Sequence, residues 1–224
     1  MTIMQTLRSI FGSKKNEAPI LNDTNPLRIK LGSLVGMNDD FRLLVSGSSQ
    51  VRPLGRQNLV CAKGEIDLGE GYKLHRFYFD DEDLMLQVRT SGYADNFVEE
   101  VILFNYLSLI NVSSERELQR LAGRDSAIGL PTYKLDNNTF NRAWGSEEGQ
   151  TELVLMHETV TNAEESYRVK HMCMLYVRNT DLSERTESLL FSVEESGGTN
   201  GEDVTWQIST TVGLTLFAND LNVI

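Results

Sequence analysis

Between Val204 and Leu214 apolar and polar residues alternate without a break. Val204, Trp206, Ile208, Thr210, Val212 and Leu214 fall on one side, and Thr205, Gln207, Ser209, Thr211 and Gly213 on the other. A period of two belongs to a β-strand with one buried and one wet face, so the first row is expected inside and the second in solvent. A lone strand is not stable, and the chain supplies partners. Residues 152–161, 167–179 and 186–195 read as further strands, and residues 194–203, with Gly197, Gly198 and Gly201, as an acidic hairpin tip. Residues 58–90 read as consecutive hairpins broken at Gly64, at Gly69-Glu70-Gly71 and at the acidic turn Asp80-Asp81-Glu82-Asp83. Residues 97–110 fit a helix through Val101, Phe104, Leu107 and Leu109, but their β-branched and aromatic content favours a strand. One body helix is expected over residues 114–122, with Ser114 and Glu117 as a capping box and Gly123 as a left-handed stop. The expected fold class is α+β: predominantly antiparallel β, a sandwich or an open barrel, with one or two short helices and an N-terminal amphipathic helix.

A chain of 224 residues buries roughly 70% of its unfolded surface, which is enough to fold without metal or disulfide staples. Cys61 and Cys173 stand in apolar stretches and read as small buried hydrophobes. The net charge of −11 repels phosphate backbones and argues against nucleic acid as a partner. No run of eighteen apolar residues and no signal-peptide pattern occurs, so a cytoplasmic location is expected.

Motifs for catalysis are missing: there is no GxxxxGK[ST], no GxGxxG after a strand and no GxSxG. His75, His157 and His171 each stand alone rather than at HxH or HExxH spacing, so no metal site is expected. The alternation around His171 makes it a hydrogen-bonded core residue, while His75 and His157 are expected partly exposed, with Glu158 on the opposite face from His157. Acid pairs, among them Asp39-Asp40, Asp80-Asp81 and Glu194-Glu195, read as solvated surface; residues 80–83 lack the ligand spacing of a calcium loop. Arg52 and Arg56 form a small basic loop open to an anion or a partner, and Trp144 reads as a core anchor.

The first eighteen residues differ from the rest. Ile3, Met4, Leu7, Ile10 and Phe11 share one helical face, and Arg8, Lys14 and Lys15 stand against the single acid Glu17. This is the pattern of an interfacial helix able to meet an anionic membrane surface or a partner groove. The expected organisation is an arm over residues 1–18, a polar linker over 19–26 and a β-rich domain over 27–224. The contact residues are Ile3, Met4, Leu7, Arg8, Ile10, Phe11, Lys14 and Lys15. No catalytic, cofactor or metal residue is assigned.

Several ordered segments carry a family resemblance: Gly64-Glu65-Ile66-Asp67-Leu68-Gly69, Arg76-Phe77-Tyr78, Phe140-Asn141-Arg142-Ala143-Trp144, Met174-Leu175-Tyr176-Val177-Arg178, Glu187-Ser188-Leu189-Leu190 and Leu221-Asn222-Val223-Ile224. In this order they resemble the YjfK-like family of bacterial proteins of unknown function. The family has no catalytic residues to carry over. The resemblance implies a setting near PspA-like membrane-stress proteins and small membrane proteins, sometimes with a glutathionylspermidine-synthase-like ligase. The expected role is therefore a non-enzymatic accessory or adaptor protein, cytoplasmic or peripheral to the inner membrane. The alternative is a binding protein or enzyme for a polyamine-like cation, with its site in a cleft of the β body.

Overall fold

The computed structural model describes residues 25–92, 97–196 and 205–224. Its elements run β1 (Leu34–Met37), α1 (Asp39–Ser48), β2 (Asn58–Gly69), β3 (Tyr72–Phe79), β4 (Leu84–Ser91), β5 (Phe97–Val112), α2 (Glu115–Ala122), β6 (Thr132–Leu135), β7 (Asn138–Arg142), β8 (Val154–Asn162), β9 (Ser166–Asn179), β10 (Thr186–Ser196), β11 (Thr205–Leu216), a 3-10 turn (Ala218–Asp220) and β12 (Leu221–Val223). The strands expected over 58–90, 97–110, 152–161, 167–179, 186–195 and 204–216 are all present, but Gly64 makes no break: β2 runs through it, paired with Arg76 of β3 on one side and Val160 of β8 on the other. The arm over residues 1–18 lies outside the described residues. At the end of the expected linker, Asn25 is buried: its Nδ2 donates to the Ile29 carbonyl at 2.8 Å and its Oδ1 accepts from the Ile29 amide at 3.1 Å.

Antiparallel pairing joins β2, β3, β4, β5, β11, β10, β9 and β8 in that order, and β8 pairs back onto β2 from Ala62↔Asn162 to Ile66↔Glu158. The eight strands therefore close into a barrel, neither the sandwich nor the open barrel expected. Closure removes the edges that an open sheet exposes. Two short additions extend the wall: β1 and β12 beside β2, and the β6–β7 hairpin beside β9.

The same closure overturns the expected wet face of β11. Gln207, Ser209 and Thr211 are 4%, 5% and 2% exposed, because they face the barrel lumen and not solvent. The opposite row, with Ile208, Val212 and Leu214, faces outward and is buried as well. Outward side chains of β3, β4, β5 and β11 such as Phe77, Leu86, Leu103 and Val212 pack under Ile29, Val35, Val45 of α1 and Leu54. Those of β9 and β10, including Met174, Leu189 and Phe191, pack under Leu118 and Leu121 of α2 and under Phe140 of β7. Trp144 is half-buried between this cluster and the luminal one, which makes it the anchor expected.

Local chemistry explains the helices. Ser114 Oγ accepts from the Glu117 amide at 3.3 Å, as the capping box requires, but Gly123 ends α2 at φ −106° and not in the left-handed region. In α1, Asn38 Oδ1 accepts from the Asp40 amide at 3.1 Å. Its far end is pinned to the barrel by Glu187, fully buried on β10. That carboxylate accepts from Ser49 Oγ at 2.5 Å and from Arg178 Nε at 2.8 Å.

Of the bulges in the wall, one on β2 and one on β5 set which side chains enter the lumen near the polar cluster. Cys61 is the extra residue on β2 between Val60↔Phe79 and Ala62↔Tyr78, and it is half-exposed rather than buried as expected. Leu107 is the extra residue on β5 between Thr210↔Ser108 and Thr211↔Tyr106. Gly213 keeps β11 close to β5, since a Cβ there would stand 2.6 Å from both Ile102 Cγ2 and the Phe104 ring. Gly213→Ala is expected to overpack the lumen and cost roughly 1–3 kcal/mol, read as a lower midpoint in chemical denaturation with an unchanged slope.

Candidate functional site

The luminal wall is apolar at Ile66, Leu74, Met85, Ile102, Phe104 and Leu190, and polar where β3, β8, β9 and β10 meet. There stands Glu158, with no exposure at all. Arg76 Nη1 donates to its Oε2 at 2.8 Å, His171 Nε2 lies 2.8 Å from the same oxygen, and Tyr78 Oη donates to Oε1 at 2.7 Å. The Arg76 Nε donates to Gln87 Oε1 at 3.0 Å. Gly64 on β2 makes room for this carboxylate, since a Cβ there would reach 1.6 Å from Glu158 Oε1.

Burial works against the charge on Glu158, yet Arg76 above all, helped by His171 and Tyr78, holds its carboxyl down at about 2. A carboxylate that firmly ionised is a structural counter-ion, far from the near-neutral value a general base needs. Burial pushes the Tyr78 hydroxyl well up, and the neighbouring Glu158 charge adds to it.

On its other side, His171 Nδ1 lies 3.0 Å from Ser192 Oγ and 3.5 Å from Glu194 Oε1. His171 is thus the bonded core residue expected. Glu194, expected on the solvated surface with Glu195, is instead 8% exposed and turned into the lumen. Burial raises its carboxyl, with the Glu158 charge adding to the rise while His171 and Arg76 oppose it. Cys173 Sγ donates to Ser192 Oγ at 3.5 Å, and burial pushes its thiol up, away from the thiolate a nucleophile needs. A cavity of about 20 Å³ remains beside Tyr106, Glu194, Gln207, Ser209 and Thr211, room for one or two water-sized molecules.

The other candidates fall elsewhere. His75 points out of the lumen and is 1% exposed rather than partly exposed, with Nε2 3.2 Å from Thr90 Oγ1. His157 is exposed on the outer face of β8, opposite Glu158 as expected. The three histidines do not converge, and among the described residues no group of three or more His, Cys, Asp or Glu is arranged to hold a metal. The basic loop is matched internally: Arg52 Nη2 lies 2.8 Å from Asp81 Oδ1 and Arg56 Nη2 2.9 Å from Asp39 Oδ2. The hydrogen bond from Arg52 holds the Asp81 carboxyl below its ordinary value. Ile3, Met4, Leu7, Arg8, Ile10, Phe11, Lys14 and Lys15 lie outside the described residues. Sequence reasoning missed Arg76, Glu158 and Glu194; the available signal was an arginine inside the apolar run Leu74 to Phe79.

Glu158→Gln leaves Arg76 buried without a counter-charge and is expected to cost about 3–5 kcal/mol in urea unfolding. Gly64→Ala, which displaces the carboxylate without removing it, is expected to destabilise in the same direction. The Glu158 carboxyl is lower folded than its unpaired value of 4.5. Its stabilisation is therefore complete above that pH and is lost as pH falls towards about 2. Urea midpoints measured across acid pH are expected to show this loss in the wild type and not in Glu158→Gln.

Comparison with known proteins agrees with the expected resemblance. The model of a family described as "Protein of unknown function (DUF2491)" matches residues 7–222. The "Uncharacterized protein YjfK" of Escherichia coli (strain K12) is 31% identical over 187 residues, covering 82% of this chain and 83% of that protein. No solved structure matches. The chain belongs to the DUF2491 family.

Proposed function

We propose that this protein is a non-enzymatic accessory or adaptor that works from the cytoplasmic side, with the arm over residues 1–18 as its means of attachment. The observation that carries this reading is the filled lumen: the buried ionic groups are largely engaged with one another, and a luminal cavity of about 20 Å³ admits no organic substrate, while the larger recesses, such as the one of about 640 Å³ beside α2, lie on the outer surface away from that ionic cluster. A barrel so occupied acts through its surface and through what is joined to it. The amphipathic pattern of Ile3, Met4, Leu7, Ile10 and Phe11 with Arg8, Lys14 and Lys15 supports attachment through the arm.

Each of those three cations contributes about 1 kcal/mol beside an anionic leaflet, enough for reversible association. The Debye length is about 8 Å at physiological salt, so a linker of a few residues holds the acidic body beyond most of its repulsion. A PspA-like or small membrane protein as the partner fits the family resemblance. Flotation with vesicles containing anionic lipid is expected to carry the full chain upward at low salt and to lose it at high salt. A chain lacking residues 1–18 is expected to stay at the bottom; equal flotation of the two removes the membrane reading.

A further inference from the structure

Glu194 holds a feature that the barrel's own bonding does not account for. Its Oε1 faces His171 Nδ1 at 3.5 Å, but its Oε2 is completely buried without a hydrogen-bond partner among the described residues. A buried carboxylate oxygen left without a donor is costly, and such groups are rare in folded proteins. Glu194 lines the cavity of about 20 Å³, together with Arg76, Glu158 and His171.

The wall around it is largely apolar, through side chains such as Met85, Val160, Val169 and Leu190, and Gln207, Ser209 and Thr211 set acceptors into it. Gln207 spends its Nε2 on Asn111 Oδ1 at 3.0 Å, which leaves its carbonyl oxygen available. Ser209 Oγ donates to the Ser192 carbonyl at 3.5 Å and Thr211 Oγ1 to the Leu190 carbonyl at 3.4 Å, so each hydroxyl keeps its lone pairs for another donor. Charge points the same way. Arg76 is matched by Glu158, while Glu194 shares His171 with that same Glu158.

We propose that this cavity is a binding site for the ammonium ion, with Glu194 Oε2 as its counter-charge and the oxygens of Gln207, Ser209 and Thr211 as its remaining acceptors. Ammonium is close to water in size, carries one positive charge, donates through four N–H bonds and accepts nothing, which matches four acceptors in a space of this volume. A polyamine chain does not fit. The ion competes with a proton for Glu194, whose other charged or titratable neighbours are His171 and Cys173 on β9, Glu158 on β8, Arg76 on β3 and Tyr106 on β5. Since Glu194 holds its proton more tightly than an ordinary glutamate, occupancy rises with pH and each ion bound displaces that proton.

The test is thermal melting of the full chain at fixed ionic strength in ammonium chloride against tetramethylammonium chloride, from pH 5 to pH 8. Ammonium is expected to raise Tm by several degrees in a saturable way, more at the upper end of the pH range, as native-state binding requires. Glu194→Gln is expected to abolish the difference between the two salts, and Ser209→Ala to raise the half-saturating ammonium concentration several-fold. Equal melts of the wild type in both salts overturn the proposal, as does an ammonium effect that survives in Glu194→Gln. Should that variant fail to fold, 15N-ammonium NMR on the wild type decides: a slowly exchanging bound signal with a cross-peak to the Thr211 methyl supports the site, and its absence overturns it.

Discussion

A carboxylate shut away from water has to be answered by donors, and Glu158 is answered from two other strands of the barrel. Arg76 comes from β3 and His171 from β9, with Tyr78 adding a hydroxyl from β3. β8, which carries Glu158, is also the strand that pairs with both β2 and β9 and so closes the ring. The ionic contacts and the hydrogen-bonded closure therefore depend on one another. An ion pair of this kind is a poor source of net stability, because desolvation offsets most of the attraction. What it contributes is a penalty on every arrangement in which β3, β8 and β9 fail to meet in this register.

The barrel distributes polarity in an unusual way. Its outward faces are largely apolar and are roofed by α1, α2, β7 and the segment around Ile29, whereas its lumen mixes apolar residues with charges. Most of the hydrophobic driving force thus lies between the wall and its coverings. The covering pieces are short, and they are secured by polar contacts such as Glu187 with Ser49 and Arg178.

This arrangement explains what could be read in the sequence and what could not. The long strands were legible because a period of two survives whatever lies on either side. The side that meets water was not: Ser209 and Thr211 look the same whether they face solvent or a polar lumen. Nor does the pattern of β2 and β8 tell that Ile66 will meet Glu158, which is the difference between a barrel and a sandwich. Of the elements missed, β1, β6, β7 and β12 are too short for a period to develop, and tertiary contacts decide them; α1 carries Phe41, Leu44 and Val45 at helical spacing, a signal that the acid pair Asp39-Asp40 read as solvated surface obscured. Glu158 was hidden by its neighbour: His157 drew notice as a ligand type, while the residue that matters projects from the other face of the strand.

The extra residue Leu107 reverses the inside-outside phase of β5 partway along its length. Tyr106 enters the lumen before the bulge and Leu109 after it, opposite Ser209 and at the edge of the small cavity. Were Leu107 paired in regular register instead, polar Ser108 would stand opposite Ser209. The bulge thus sets an apolar side chain, rather than a second hydroxyl, against the small cavity that Glu194 lines.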